Sequence, residues 1–112
     1  MSELKEQRCK PCEGGIAPHT PAQSKEMMRK LNSAWTLSAD GKSIHRDYKF
    51  KNFYRTMSFV NAVAHIANTE DHHPDLQVGY GNCGIKFTTH AIDGLSDNDF
   101  ICAAKIDSLQ PE

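Results

Sequence analysis

Two adjacent histidines followed by proline, His72-His73-Pro74, are the residues of this chain best suited to chemistry. Imidazole exchanges protons readily near neutral pH and, when neutral, also binds metals. A third, His90, follows a segment whose pattern predicts a hairpin folding back on the pair. In residues 75–80, Leu76, Val78 and Tyr80 occupy one alternate set; in 85–90, Ile85, Phe87 and Thr89 oppose Lys86, Thr88 and His90. This period of two argues for half-buried strands. Gly81-Asn82-Cys83-Gly84 between them suits the positive φ of a tight turn. With Asn82 and Cys83 as the loop residues, Val78 faces Phe87 and Asp75 faces His90. A turn one residue earlier sets His73 against His90 instead. Either register is expected to carry His90 to the histidine corner.

Two chemistries suit such a cluster. Three imidazoles and a water resemble a catalytic zinc centre, although adjacent residues project in different directions and share one ion awkwardly. Without a metal the same divergence is useful, because one imidazole can donate a proton while another accepts one. Each well-placed acid or base contributes on the order of 10²–10⁴ in rate. Asp71 and Asp99 are residues that could hold the rings in orientation and favour their protonated form. The non-catalytic alternative is a His-His pair that bonds the last carbonyls of a helix. No serine or cysteine nucleophile arrangement, phosphate-binding glycine loop or dinucleotide fingerprint is present.

The elements that must position these residues can be read along the chain. Residues 1–19 are polar, with glycine and proline near their end, and are expected to form an irregular arm; 20–112 form one domain. Thr20-Pro21-Ala22-Gln23 predicts a helix start with a capping box and runs to about Leu31, turning Met27, Met28 and Leu31 inward. Strands are expected over 35–38 and 44–50, around an Asp40-Gly41 hairpin signal. In the second, Arg46 interrupts the set Ile44, Tyr48, Phe50. Asn52 caps a long helix over 53–69 whose stripe is Phe53, Met57, Val60, Ala64 and Ala67, widened by Phe59, Val63 and Ile66, with His65 on its flank. Pro74 disfavours helix for His73 and turns the chain into the third strand. After the fourth, Ser96 and Asp99 form a capping-box pattern for a last helix ending near Leu109. The order α-β-β-α-β-β-α predicts an α+β domain, a four-stranded antiparallel sheet with three helices packed on one face.

With 112 residues and a formal net charge of −1, the chain has no basic run to suggest nucleic acid and no apolar stretch to suggest a membrane. Its first residues lack the apolar core of a signal peptide, so a cytoplasmic location is expected. A core this small is often supplemented by oligomerisation. Cys9 and Cys12 have the spacing of half a zinc site or a redox pair, but Cys83 and Cys102 are isolated and supply no second pair for a four-cysteine zinc pattern. The four cysteines are therefore expected to be reduced thiols, and no metal is assigned.

The segments Asp71-His72-His73-Pro74-Asp75, Val78-Gly79-Tyr80, Phe87-Thr88-Thr89-His90 and Gly94-Leu95-Ser96-Asp97-Asn98-Asp99 together resemble the pterin-4a-carbinolamine dehydratase family. Trp35, Tyr48-Lys49-Phe50-Lys51-Asn52-Phe53 and Phe59 fit upstream, so the resemblance spans about residues 20–109, and the cysteine-bearing arm is similar to bacterial members. It implies dehydration of a 4a-hydroxytetrahydropterin to the quinonoid dihydropterin without cofactor or metal, recycling the pterin of an aromatic amino acid hydroxylase. It also implies a homodimer or homotetramer. By motif, His72, His73 and His90 act in acid–base catalysis, with His73 and His90 as the main acid and base. Asp71, Trp35, Asp99 and Asn68 line the substrate. Family members often carry glutamate where this chain has Asn68, which can hydrogen-bond a pterin but cannot take up a proton; Glu70 is the candidate to compensate. The alternative is a weakly catalytic or non-catalytic pterin-binding or regulatory dimerisation module of the same fold; animal relatives of the family moonlight as dimerisation cofactors for a homeodomain transcription factor, a role that nothing in this sequence separately supports.

Overall fold

The computed structural model describes residues 3–11 and 16–109. Its elements are α1 (Pro21–Met28), β1 (Thr36–Leu37), β2 (Ile44–Lys49), α2 (Phe53–Glu70), β3 (Asp75–Val78), β4 (Asn82–Phe87) and α3 (Asp97–Asp107), with single 3-10 turns at Leu4–Glu6 and His90–Ile92. The strands form one antiparallel sheet in the order β1-β2-β4-β3. This is the expected α+β arrangement.

Alternation along the strands decides which face the helices cover. On β2 and β4, Ile44, Tyr48, Cys83, Ile85 and Phe87 are buried, whereas Asp47, Lys49 and Lys86 are exposed. On α2, Thr56, Phe59, Val63, Ala67 and Glu70 recur at helical spacing and are buried. Phe53, expected in that stripe, lies at the helix start and is half exposed. α3 is buried from Asn98 to Ala104, because the arm covers it: Leu4 joins the core and Cys9 packs on it.

The caps form as expected at α1, where Thr20 and Gln23 bond reciprocally, and at α2, where Asn52 accepts from the Arg55 N–H. α1 stops at Met28, and Leu31 reaches the core from the turn that follows. Arg46 keeps its place on the inner face because its guanidinium meets Asp107 at 2.8 Å and lies 4.1 Å over the Tyr48 ring. The Asp107 carboxylate also accepts from the Trp35 indole N–H at 2.7 Å and the Asn32 N–H at 2.9 Å, so one residue of α3 fastens the segment that leads into β1 as well as β2.

The β3–β4 register differs from expectation. Leu76 faces Ile85 and Val78 faces Cys83, so the turn is centred on Tyr80-Gly81 and not on Asn82-Cys83. Tertiary contacts fix it there. Phe50 N–H donates to Gly81 O at 2.8 Å, and the Thr56 hydroxyl donates to Tyr80 O at 2.9 Å. A Cβ at Gly81 would come within 2.8 Å of the Phe50 carbonyl oxygen. β4 therefore begins at Asn82 and ends at Phe87, and Thr88 to His90 lie beyond the ladder.

Candidate active site

The histidine corner is made by the way α2 ends. Asp71 takes the left-handed conformation, φ 53° and ψ 43°, and the His72 N–H returns to the Ala67 carbonyl at 3.1 Å. Such a termination satisfies free carbonyls and turns the chain sharply. Two residues later Pro74 commits the chain to β3. The adjacent histidines therefore leave the helix in different directions.

His72 points inward. Its side chain is 11 % exposed, and its Nε2 lies 2.6 Å from Asp99 Oδ1, a carboxylate with no exposed surface. The other Asp99 oxygen accepts from the Thr89 hydroxyl at 2.7 Å and from the Ser96 N–H at 3.0 Å. Thr89 Oγ in turn lies 2.8 Å from Ser96 Oγ. With both of its oxygens bonded, Asp99 can take only one pose, and it fixes the His72 ring with Nε2–H donating. Phe87 stacks flat on that ring, and Trp35 packs behind Phe87 with centroids 6.2 Å apart.

His73 points outward and is exposed, with Nε2 3.1 Å from Asn68 Oδ1 across the last turn of α2. Asp71 is exposed beside it. His90 opens the 3-10 turn His90–Ile92, and its side chain is also exposed. The loop that carries it is pinched by Thr89 N–H to Gly94 O at 2.8 Å, so Thr89 faces Asp99 while His90 sits on the outer side. Trp35 is buried, with its indole N–H held by Asp107; its link to the histidines runs through Phe87. Glu70 is not free to stand in for a glutamate at position 68. Its carboxylate takes the Cys9 N–H at 2.8 Å and pairs with Arg8 at 3.0 Å. Burial opposes its ionisation, but that N–H, Lys105 and Arg8 outweigh burial and hold the carboxyl below its ordinary value.

Sequence reasoning missed Phe87 and Thr89 as supports. The signal for Thr89 was present: a hydroxyl on the same alternate set as Ile85 and Phe87 is turned inward and needs a buried partner. Among the described residues no group of three or more His, Cys, Asp or Glu side chains is arranged to hold a metal ion, and no helix is long and apolar enough to cross a membrane. Cys12 lies outside the described residues. A cavity of about 540 Å³ lined by Phe50, Tyr54, Arg55 and Phe59 lies at the far end of α2. No histidine or carboxylate lines it, so the corner, with its convergent polar groups, is the better candidate.

A sheet covered on one face by helices, with two histidines on a helix-to-strand corner and one of them, His72, against a buried carboxylate, defines a small α+β protein with a candidate acid–base site. The chain belongs to the pterin 4 alpha carbinolamine dehydratase family, whose model matches residues 17–109. A relative from Nitrosomonas eutropha is 52 % identical over 109 residues, covering 97 % of this chain and 95 % of that one. One from Legionella pneumophila is 53 % identical over 108 residues, covering 96 % of each, and both carry the family's name. Among solved structures, a transcriptional coactivator/pterin dehydratase from Brucella melitensis superposes with TM-score 0.77 at 27 % identity, covering 82 % of this chain and 97 % of that one. A pterin dehydratase-like RuBisCO assembly factor of the alpha-carboxysome shares the fold, with TM-score 0.60 at 18 % identity over 70 % of this chain and 90 % of that one.

Proposed function

We propose that this chain removes water from a 4a-hydroxytetrahydropterin, giving the quinonoid dihydropterin, and so recycles the cofactor of an aromatic amino acid hydroxylase in the cytoplasm. The observation that carries this reading is the His72–Asp99 pair, 2.6 Å apart at the corner that also presents His73. A buried carboxylate holding one imidazole in a single tautomer is what a positioned proton-transfer group requires. Loss of the C4a hydroxyl needs a proton delivered to the departing oxygen and another taken from the pterin ring nitrogen system, and neither step consumes a cofactor. His73 and His90, both exposed, meet the substrate as the main acid and base. His72, held from behind, binds the pterin and supports the proton movement. Asn68 and Asp71 contact the heterocycle from the helix end, Asp99 positions His72, and Trp35 backs the aromatic wall through Phe87. The working unit is a homodimer or homotetramer, with no nucleic-acid or membrane partner.

A second reading, a weakly catalytic pterin-binding module, is favoured by one observation: the partner of His73 is the neutral Asn68. The decay of freshly generated 4a-hydroxytetrahydropterin separates the two. Wild type should accelerate it and His73→Ala should lose on the order of 10²-fold. Equal rates with both proteins would remove the catalytic claim and leave binding.

A further inference from the structure

The arm brings a thiol to a buried one. Cys9 Sγ lies 3.5 Å from Cys102 Sγ on α3, although 93 positions separate them in the chain. Cys102 has no exposed surface, and Cys9 is half buried. The approach is held from several sides. The Cys9 N–H is fixed on Glu70 at 2.8 Å, its sulfur also lies 3.7 Å from the Asn98 carbonyl oxygen, and the next residue, Lys10, donates its N–H to Asn98 Oδ1 at 3.0 Å while its carbonyl accepts from Asn98 Nδ2 at 2.7 Å.

We propose that Cys9 and Cys102 are an oxidative modification site, closing to a reversible disulfide that ties the N-terminal arm to α3. The sulfurs need to approach by about 1.5 Å to reach a bonded separation of about 2.05 Å. The half-buried Cys9 meets the oxidant first; the Cys9 thiol and burial together raise the Cys102 thiol above its ordinary pKa and keep it protonated until then. With hydrogen peroxide as oxidant, Cys9 sulfur attacks one peroxide oxygen, the O–O bond breaks, and water leaves with the thiol proton, giving a sulfenic acid. Cys102 sulfur then attacks the sulfenic sulfur; the S–O bond breaks, and the departing hydroxide takes the Cys102 proton to leave as a second water. Two thiols are oxidised and one peroxide is reduced to two waters. Because the arm covers α3 where Asp99 and Cys102 lie one turn apart, the bond acts on the back of the histidine corner: Cys102 Sγ lies 4.0 Å from the His72 carbonyl oxygen.

The test uses the full chain treated with equimolar hydrogen peroxide, alkylated to block remaining thiols, and digested with trypsin. A peptide of residues 9–25 linked to one of residues 87–105, lighter than the sum of the two by two hydrogens, is expected in wild type and in Cys12→Ser. It should be absent from Cys9→Ser and Cys102→Ser. The oxidised protein should melt roughly 10 °C above the reduced one, and dithiothreitol should abolish the difference. A Cys9–Cys12 bridge in place of this link, Cys9 over-oxidised beside an alkylatable Cys102, or an unchanged melting temperature in the linked protein would each overturn the proposal.

Discussion

Phe87 lies flat against the His72 imidazole, with ring centroids 5.8 Å apart and an interplanar angle of 7°. The contact joins the core to the corner, because Phe87 is itself a buried residue of β4. Phe87→Leu keeps the site apolar but removes the flat surface. Stability should fall by on the order of 1–3 kcal/mol, and dehydration by roughly tenfold through loss of ring alignment. Urea melts and the pterin decay assay read the two effects separately.

Asp99→Asn preserves size but offers an amide where His72 needs a fixed acceptor. The rate should drop by about 10²–10⁴, while stability changes by only about 1 kcal/mol through the weakened start of α3. Thr89→Val should give a milder loss in the same direction, since Asp99 then keeps one of its two anchoring donors to Oδ2. Steady-state rates of the two variants, ordered in this way, check the positioning role.

Glu70 makes stability depend on acid. Its carboxyl is held below its ordinary value in the folded chain, so its contribution is present above the unfolded value near 4.5 and is lost as pH falls through the depressed folded value. Glu70→Gln should flatten the acid limb of the stability curve and cost about 1.5–3 kcal/mol at neutral pH, the range for hydrogen bonds to a charged group. Denaturation midpoints from pH 3 to 7 measure this.

The Arg46–Asp107 pair is mostly buried, at 16 % and 17 % side-chain exposure. Asp107→Ala should destabilise by about 3–5 kcal/mol, because it strands the guanidinium and the Trp35 N–H. Arg46→Met combined with Asp107→Leu should recover part of that loss. Chemical denaturation of both variants decides whether the cost is the missing bond or the stranded charge.

Particular residues show what the sequence could convey. Pattern and caps were enough for α2, for the Asp40-Gly41 turn, where Gly41 has φ 72°, and for Asp99 at the start of α3. Alternation also named the inward face of β4, with Ile85, Phe87 and, just beyond it, Thr89 buried, but on β3 only Leu76 is partly covered, while Val78 and Tyr80 are exposed. It could not give their register, because a slip by an even number of residues leaves every side chain on its own face. The choice fell to Phe50 and Thr56, which hold the Tyr80-Gly81 turn from other elements. At the corner, the histidines were evident from residue type alone. The partnership of His72 with Asp99 was only a possibility, since it depends on how α3 crosses the end of α2. The Glu70 anchor was out of reach, because its nearest partners, the Cys9 N–H and Arg8, belong to the arm, which carries no periodic signal.

The carboxylate at position 99 begins a helix with one oxygen and steadies a ring with the other. Any inheritable change there is therefore screened twice, once for whether the last helix starts and once for whether the imidazole stays put. A designer who wished to refit this corner for a different heterocycle would have to keep at 99 a group that still begins α3.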